Sequence, residues 1–442
     1  MTPDPFARAL DGAAVTSFLR SLPARPRLLG LGEAKHCEEA LLELRNEIFR
    51  HLVEHEGFRS FALESDCLMG LAVDDYVTAG TGTLDDVMAR GFSHGFGASP
   101  ATRELVRWMR AYNEDRPAED RLRFFGFDGP LEMTVAASPR QALTALHGYL
   151  AASVDAGLLP CTAETLDRLI GADEQWTNPA AAMEPAQSAG RSAEARELRL
   201  IADDLVALLD TQTPHLIAAT SREAWWRACL HGRTATGLLR YHFWMADTSP
   251  PRVSRLMGLR DVMMAGNLEA IAEHGPTLVY AQNRHLQRHK STWELPGLPV
   301  EWWSAGSIVS ARLGDRYAWL ASALGTVRHQ GLGVPHPDTV EGLLYTLPGS
   351  GYVVDAPGLA AALDGEGRKP ALRTDMSADY LYFPLEPDHL AECDGLIFVK
   401  DVPPEPAGLR AAPRSLARRA KNCPTRQVSA AAVASQPSRA LG

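Results

Sequence analysis

Glu33 and His36 are the residues whose types and spacing best suit proton-transfer chemistry in this chain. A carboxylate three residues from an imidazole can orient the ring and stabilise its charged form, and histidine changes charge near neutral pH. The pair follows a short apolar run, Leu28 to Leu31, and precedes a helical pattern that begins near Cys37. Because open α/β sheets bind ligands in such strand-to-helix loops, we predict a catalytic site here.

Two further carboxylates follow apolar strand patterns in the same way. Glu64 follows the pattern of residues 59–63, and Asp128 follows that of residues 122–127. Parallel strands linked by helices bring their carboxyl ends to one edge of a sheet, so these side chains are expected to converge there with Glu33. For Glu64, the structural alternative is a carboxylate that only caps a helix.

Other polar residues lie near later elements. His94 stands in a glycine-rich segment, and Arg260 lies in a strongly amphipathic helical pattern. Asn283 and His285 fall just past a fourth apolar strand pattern, which extends that strand-end series. His289 follows four residues after His285, but basic neighbours place it in a solvated stretch, so we expect it outside the site.

Several residue types admit two interpretations. Arg45 lies near the apolar face of the first long helix, where an arginine either extends its head towards solvent or clamps an oxyanion. Cys37 could be a nucleophile beside His36, and a small buried residue is the favoured alternative. No HExxH, GxSxG, GxxxxGKS or GxGxxG pattern is present, so we predict no metal and no cofactor.

The composition is that of an ordinary globular protein, with 442 residues, 45% of them hydrophobic and 22% charged. A formal net charge of −10 argues against a nucleic-acid binder. Six scattered cysteines without paired spacing suggest reduced thiols. Neither a signal-peptide pattern nor a run of ~20 apolar residues occurs. We therefore expect a cytoplasmic monomer or homodimer whose partner is a small molecule, not a membrane.

These patterns predict an α/β fold with a central, mostly parallel sheet flanked by helices. Residues 1–130 and 246–403 are expected to form this core. Residues 131–245, rich in Ala and Leu, are expected to form an inserted helical lid subdomain over the active-site cleft, although helices that only pack on the sheet are the alternative. Residues 404–442 are predicted to be a disordered basic tail. Residues 307–313 are predicted to be a strand.

In order and spacing, these motifs resemble the erythromycin esterase family. The resemblance rests on LLGLGEAKH, GFRSFALESD, FFGFDG, GLRDVMMAGNL, YAQNRH, GDRY and CDGLIFVKD, and covers about residues 25–402. It implies an α/β core with a helical subdomain over a deep cleft. It also implies a metal-independent hydrolase that opens a macrolactone ester with a histidine-activated water.

The resemblance further implies roles for individual residues. The family's GExxH motif falls on Glu33 and His36, which makes His36 the general base. The family's arginine in the first helix falls on Arg45, and its second-strand glutamate falls on Glu64.

The family's HNxH motif falls on Gln282, Asn283 and His285, and glutamine here replaces its first histidine. Glutamine can hydrogen-bond but cannot exchange a proton near neutral pH. In the first motif, Cys37 stands where many members carry glycine.

The first functional hypothesis is hydrolysis of a macrolide or polyketide-type lactone. His36 takes a proton from water, Glu64 helps to position that water, and Arg45 and His285 stabilise the oxyanion. The expected substrate-binding residues are Gln282, Asn283, Asp128, Arg260 and His94.

The second hypothesis is a non-hydrolytic tailoring enzyme in secondary metabolism. His36 would abstract a proton from the substrate and drive a cyclisation, elimination or dehydration, which the loss of a histidine at Gln282 favours. A non-catalytic protein that sequesters a drug is a third class, which the complete set of acid and base residues disfavours. Both a resistance enzyme and a biosynthetic enzyme are compatible with the first two.

Overall fold

The computed structural model describes residues 3–132, 135–295, 298–375 and 382–404. Within these ranges, a sheet of eight strands lies between two layers of helices. This arrangement confirms the predicted α/β fold with a mostly parallel central sheet.

The strands in chain order are β1 (Ala7–Ala9), β2 (Leu28–Glu33), β3 (Ser60–Asp66), β4 (Arg123–Asp128), β5 (Leu131–Glu132), β6 (Val135–Ala136), β7 (Thr277–Gln282), β8 (Lys290–Leu295), β9 (Leu298–Trp303), β10 (Tyr317–Thr326), β11 (Gly351–Val354) and β12 (Gly395–Asp401).

The helices are α1 (Gly12–Ser21), α2 (Glu39–His55), α3 (Gly70–Ala79), α4 (Leu84–Arg90), α5 (Pro100–Asn113), α6 (Arg140–Ala151), α7 (Ala163–Ile170), α8 (Ala193–Thr211), α9 (Thr213–Ala219), α10 (Arg222–Met245), α11 (Arg252–Ala272), α12 (Asn283–Leu286), α13 (Ala305–Leu313), α14 (Val340–Tyr345) and α15 (Ala356–Gly365). None of the helices in the described ranges is both long enough and apolar enough to span a bilayer.

The central sheet has the strand order β1-β11-β12-β10-β2-β7-β3-β4. All neighbours from β12 to β4 run parallel, whereas β11 is antiparallel to both β12 and β1. Strand β2 lies in the middle, and all six of its residues are buried, as expected for a parallel strand covered on both faces. In its register with β7, Glu33 pairs with Gln282, so the two strands end at the same edge.

Alternating side chains of the strands form two hydrophobic cores. On one face, Leu29 and Leu31 join a cluster that includes Phe49 of α2 and other residues of α1 to α5. On the other face, Leu28 joins a cluster with Leu268 of α11 and with residues from α6 to α15. Successive residues of a strand point to opposite faces, so a single apolar run supplies both layers.

The helical segment after β4 begins with the small hairpin β5–β6 and continues through α6 to α10. Leu146 of α6 and Leu198 of α8 belong to the same buried cluster as Val279 of the sheet. These helices therefore share a core with one sheet face. The division of the chain into a core and a lid subdomain over residues 131–245 stays a prediction.

The prediction of a strand over residues 307–313 is wrong, because these residues form most of helix α13. Ser304 begins that helix, and its hydroxyl accepts a hydrogen bond from the Ser307 N–H at 3.0 Å. A short apolar run does not by itself distinguish a helix from a strand, and the serine cap was the deciding signal. The predicted basic tail lies outside the described residues from residue 405 onward.

Candidate active site

Most of the predicted site residues meet at the carboxyl edge of the parallel strands. Hydrogen bonds, ion pairs and mutual electrostatic effects connect the side chains of Glu33, His36, Glu64, His94, Asp128, Arg260 and His285. Strands β2, β3 and β4 supply the carboxylates, and α11 and α12 supply Arg260 and His285.

Glu33 holds the imidazole of His36. The carboxylate is fully buried, and its Oε2 lies 2.5 Å from Nδ1 of His36. Its Oε1 accepts a hydrogen bond from the Cys37 N–H at 3.0 Å, which fixes the carboxylate itself. Since Nδ1 is engaged, Nε2 is the ring nitrogen of His36 that is available to exchange a proton with a bound molecule.

The charge of His36 depends on two opposing effects. Burial alone would lower its pKa, but the carboxylates of Glu33 and Glu64 outweigh that effect and raise the pKa of His36 to about 9. The free protein therefore holds His36 largely as an imidazolium at neutral pH, and the ring becomes a general base once that proton is lost.

Two loops beside the site adopt left-handed backbone conformations. Cys37 has a φ of 54° and His94 a φ of 55°, values that side-chain-bearing residues rarely adopt. The Cys37 thiol donates to the His94 carbonyl at a sulfur–oxygen distance of 3.4 Å, which ties the loops together. Burial raises the pKa of this thiol far above its ordinary value, so Cys37 is a poor nucleophile.

Arg260 is the central cation of the cluster. Its Nη2 lies 2.7 Å from Oδ2 of Asp128 and 3.2 Å from Oε1 of Glu64. His94 donates through its Nε2–H to the same Asp128 oxygen at 2.9 Å. Burial would raise the pKa of Asp128, yet Arg260 and His94 hold it well below its usual range. Asp128 is therefore an anion that holds the side chains of Arg260 and His94 in place.

Glu64 lies where the register between β3 and β4 shifts, between Leu63 and Asp66. Such bulges redirect a side chain and are frequent beside active sites. The Glu64 carboxylate accepts the backbone N–H of Gln282 at 2.8 Å, and its other oxygen lies 3.3 Å from Nε2 of His285. Burial acts to raise its pKa, but the positive charges of His285, His36 and Arg260 lower it overall.

Asp261 is a site residue that the sequence prediction missed. Its Oδ1 lies 2.8 Å from Nδ1 of His285, and its Oδ2 accepts hydrogen bonds from the Trp302 indole at 3.1 Å and the Ala305 N–H at 3.0 Å. Burial lowers the pKa of His285, but Asp261 and Glu64 outweigh it and raise the pKa. The feature of the sequence that could have identified Asp261 is an acidic residue next to Arg260 in a helical pattern that is otherwise mostly apolar.

Charge in the site is arranged in two layers. His36 and His94 are partly exposed, at 28% and 17%, whereas Arg260 and His285 are buried, with side chains 11% and 10% exposed. The carboxylates of Glu33, Glu64, Asp128 and Asp261 are at most 2% exposed. A ligand would thus meet the imidazoles and the guanidinium before the carboxylates, and hydrogen-bond donors placed in this way suit a developing oxyanion.

Arg45 is not part of this layer, contrary to the predicted oxyanion contact. It is fully buried, its Nε and Nη2 donate to Oδ1 of Asn46 at 3.2 and 2.9 Å, and its guanidinium lies 5.0 Å from the ring centre of Tyr280. The side chain packs beneath the site because Asn46 and the aromatic rings of Tyr280 and Phe61 hold it there.

Asn283 also differs from its predicted substrate-binding role. Its Nδ2 donates to the Ser322 carbonyl at 2.8 Å, and its Oδ1 accepts from the Ser322 N–H at 3.1 Å. A Cβ at Gly32 would lie 1.8 Å from that Oδ1, so the close approach requires glycine. The amide is therefore engaged in joining α12 to β10.

Gln282 keeps a position beside the cluster. Its Oε1 caps α12 by accepting the Arg284 N–H at 2.8 Å. Within the described ranges, its buried Nε2 has no hydrogen-bond partner, so the amide retains a donor for a ligand. The group of described residues that could hold a metal ion is elsewhere, at His289, His389 and Glu392.

Comparisons with known proteins agree with this architecture. The profile of the family described as Erythromycin esterase matches residues 53–402, a span that includes Glu64, Asp128, Arg260 and His285 and begins after the Glu33–His36 loop. No curated protein matches the chain.

Three solved structures share the fold. A Bacillus cereus protein is 18% identical with a TM-score of 0.66, covering 90% of this chain and 96% of that one. A succinoglycan biosynthesis protein is 15% identical with a TM-score of 0.64, covering 90% and 95%. A mutant of the erythromycin esterase EreC in its open conformation is 17% identical with a TM-score of 0.61, covering 90% and 96%.

The family profile spans most of the chain, and the strand edge carries a histidine, an arginine and paired carboxylates that suit ester hydrolysis. These findings support an esterase-like function. The chain belongs to the erythromycin esterase family.

Proposed function

We propose that this chain is a cytoplasmic ester hydrolase that opens the lactone of a macrolide or polyketide-type small molecule. The observation that carries the proposal is the Glu33–His36 pair, whose ring nitrogen Nε2 is free and whose charge is affected by the neighbouring Arg260. A base next to preorganised positive charge matches the two needs of ester hydrolysis, which are an activated water and a stabilised oxyanion.

In the proposed reaction, Nε2 of His36 takes a proton from water as the water oxygen bonds to the lactone carbonyl carbon. The carbonyl π electrons move to oxygen and form a tetrahedral oxyanion. That oxyanion then re-forms the carbonyl and expels the ring oxygen, which receives a proton from the His36 imidazolium. One water is consumed, and the products are a carboxylic acid and an alcohol.

Arg260 and His285 are the side chains that we propose for the oxyanion contact. Both are buried at the strand edge that also carries the partly exposed His36, and both are held in place by Glu64 at 3.2 and 3.3 Å. Arg45, which is fully buried, would act on the site only through its positive charge. Gln282, whose amide Nε2 has no hydrogen-bond partner among the described residues, is the proposed polar contact for substrate.

The segment of helices α6 to α10 is proposed to shape the substrate pocket. It begins at the hairpin beside the site, where the Glu132 carboxylate accepts the His94 N–H at 3.2 Å. Differences in this segment would then change which lactone fits, without altering the catalytic pair.

A second candidate function is a proton abstraction from the substrate carbon, leading to cyclisation, elimination or dehydration. One observation favours it: Gln282 replaces a histidine of the family motif, and its Oε1 is engaged in capping α12. A glutamine there cannot deliver a proton to a leaving alkoxide.

The test is mass spectrometry of reactions between the purified chain and a panel of macrolactones in ¹⁸O-labelled water. Hydrolysis adds one labelled oxygen to the product carboxylate, and the product mass rises by the mass of one labelled water. His36→Asn should abolish this product, whereas His336→Asn, a change at an exposed histidine, should not. Unlabelled, rearranged product would support the second candidate, and unchanged macrolactones throughout would refute lactone hydrolysis.

A further inference from the structure

A second group of histidine and carboxylate side chains shares no member with the catalytic cluster. His289 follows α12, and His389 and Glu392 lie in a short 3-10 segment, Pro387–Glu392, about one hundred residues later in the chain. Each of the three offers one ligand atom, and these atoms lie within 4.8 Å of one another. The fold thus brings together donors that the sequence keeps far apart.

His289 is the residue in this group that requires an explanation. It is 8% exposed, and within the described ranges neither ring nitrogen makes a hydrogen bond. The nearest carboxylate oxygens are Oε2 of Glu392, 3.4 Å from Nδ1, and Oε2 of Glu386, 3.8 Å from Nε2. A buried imidazole whose nitrogens are unpaired is unfavourable unless something else satisfies them.

The two imidazoles face a common space. The rings of His289 and His389 are stacked, with centroids 3.7 Å apart and planes 10° from parallel. Both line a small pocket of about 20 Å³, together with Glu386 and Cys393. The pocket is large enough for a single ion or water molecule beside the two rings.

We propose that His289, His389 and Glu392 form a binding site for a divalent transition-metal ion of the zinc type. Two imidazole nitrogens and one carboxylate oxygen are a common zinc ligand set, with water in the fourth position. Zinc–ligand bonds of ~2.0–2.1 Å place tetrahedral ligand atoms roughly 3.4 Å apart. Because the two imidazoles are stacked, ion binding requires them to turn out of their parallel planes until both nitrogens point at the same ion. The ion would replace the 2.8 Å contact between His389 and Glu392.

Glu386 supplies the surroundings that such a site needs. Its Oε2 lies 3.8 Å from Nε2 of both His289 and His389, on the edge of the rings opposite Glu392. Metal-binding imidazoles usually donate their other N–H to a carboxylate, which fixes the ring and strengthens the ligand. The carboxylate is itself held by Arg284, whose Nη1 lies 3.4 Å from its other oxygen.

The site would join two parts of the molecule. His289 lies directly beyond α12, which carries His285, whereas His389 and Glu392 precede β12. Metal binding would therefore stabilise the chain around α12 without contact between the ion and the catalytic cluster. This inference does not depend on the reaction proposed above.

The experiment is titration of the chelator-treated full chain with zinc chloride, followed by calorimetry, and with cobalt chloride, followed by visible absorption. We expect one ion per chain, intense cobalt bands typical of four-coordination, and a melting temperature higher by roughly 3 °C at saturating zinc. His389→Ala and Glu392→Gln should weaken zinc binding by at least about tenfold.

Controls distinguish this site from other histidines. His389 and Glu392 are 35% and 41% exposed, so both variants should melt like the parent chain in chelator. His336→Ala, at an exposed histidine whose Nδ1 lies 3.7 Å from Asp338, should bind zinc normally. Binding that survives His389→Ala and Glu392→Gln, binding that is lost in His36→Asn instead, or no stoichiometric binding would each overturn the proposal.

Discussion

His36 combines two properties that oppose each other. Glu33, which holds the ring, and Glu64, which acts on it through its charge, both favour the protonated form and raise the pKa of His36 to about 9. A higher pKa makes the imidazole a stronger base, but it lowers the fraction that is neutral at pH 7. The same two carboxylates therefore make the His36 imidazole a stronger base and reduce the fraction of it that is neutral and able to accept a proton.

This conflict predicts the pH dependence of turnover. If the neutral ring is the base, kcat/KM should rise about tenfold per pH unit below pH 9 and level off above it, because the imidazolium loses its proton there. Steady-state rates between pH 6 and 10 measure this. A rate that instead falls through pH 9 would show that the protonated ring is the active form.

Asp261 allows a test of His285 that leaves His36 untouched. In Asp261→Asn, the pKa of His285 should fall because the buried anion beside Nδ1 is lost, and kcat should drop by about tenfold or more. Histidine titration by NMR and steady-state kinetics measure the two effects. Asp203→Asn, on the exposed side of α8, is the matched control. An unchanged kcat would remove His285 from the mechanism.

Cys37 tests whether the residue beside the base is chemically active. Because burial raises the pKa of its thiol, iodoacetamide should not inactivate the protein at pH 7.5, and Cys37→Gly should retain most of its turnover. Glycine also suits the φ of 54° at this position. Rapid inactivation by iodoacetamide that Cys37→Gly abolishes would contradict a structural role.

At the scale of single residues, the sequence predicted where side chains lie along the strands better than which partners they contact. Strand-end position located Glu33, Glu64 and Asp128 correctly, because parallel strands end at one edge. The predicted oxyanion contact of Arg45 rested on its place in the first helix and on the family resemblance. The structure instead shows its guanidinium engaged with Asn46 and with the rings of Phe61 and Tyr280. Contacts made across long sequence separations leave no local pattern.

Among the elements, α12 has the greatest effect on the site relative to its length. It spans four residues, begins at the Gln282 cap and carries His285. So short a helix has little stability of its own, and its position depends on tertiary anchors. Asn283, bonded twice to the backbone of Ser322, is the main anchor.

Removal of that anchor should therefore affect stability and catalysis together. Asn283→Ala leaves a buried N–H and a buried carbonyl of Ser322 without partners, which should lower the free energy of unfolding by about 2–4 kcal/mol. Urea denaturation measures this. Asn178→Ala, which removes a half-buried cap, should cost about 1 kcal/mol. Equal, small effects in both variants would show that α12 is held by other contacts.

The bounds of a strand could be predicted from a run of apolar residues where both faces of the strand are buried. The run ahead of Glu33 predicted β2 almost to its end, since a fully buried parallel strand reads as uninterrupted apolar sequence. The same rule misassigned α13, whose apolar residues pack as a helix behind the Ser304 cap. The hairpin β8–β9 carried no comparable signal.

For the whole molecule, the junction between the sheet and the helical segment is an ion network. Arg123 of β4 lies 2.8 Å from Asp74 of α3 and 2.9 Å from Glu223 of α10. Arg227 of α10 extends the network to Asp75. The network joins both helical layers to the last strand of the sheet.

Arg123→Met should destabilise the whole fold. Asp74 has a 3% exposed side chain, and loss of its main cation should lower the free energy of unfolding by about 3–5 kcal/mol. The comparison is Arg312→Met, which breaks the exposed pair with Glu269 and should cost at most about 1 kcal/mol. Thermal unfolding of both variants measures the difference. Similar melting temperatures would show that Arg123 is not needed at this junction.

The position of β7 in the sheet affects how the chain folds while it is being synthesised on the ribosome. Strands β2 and β3 follow each other in sequence but are separated in the sheet by β7, which the ribosome makes about two hundred residues later. Until residues 277–282 emerge, β2 and β3 lack the neighbour that lies between them. Pairing over such distances is slow and leaves strand edges open. The nascent chain should therefore depend on chaperones until β7 is available, and His36 should acquire its surroundings only late in translation.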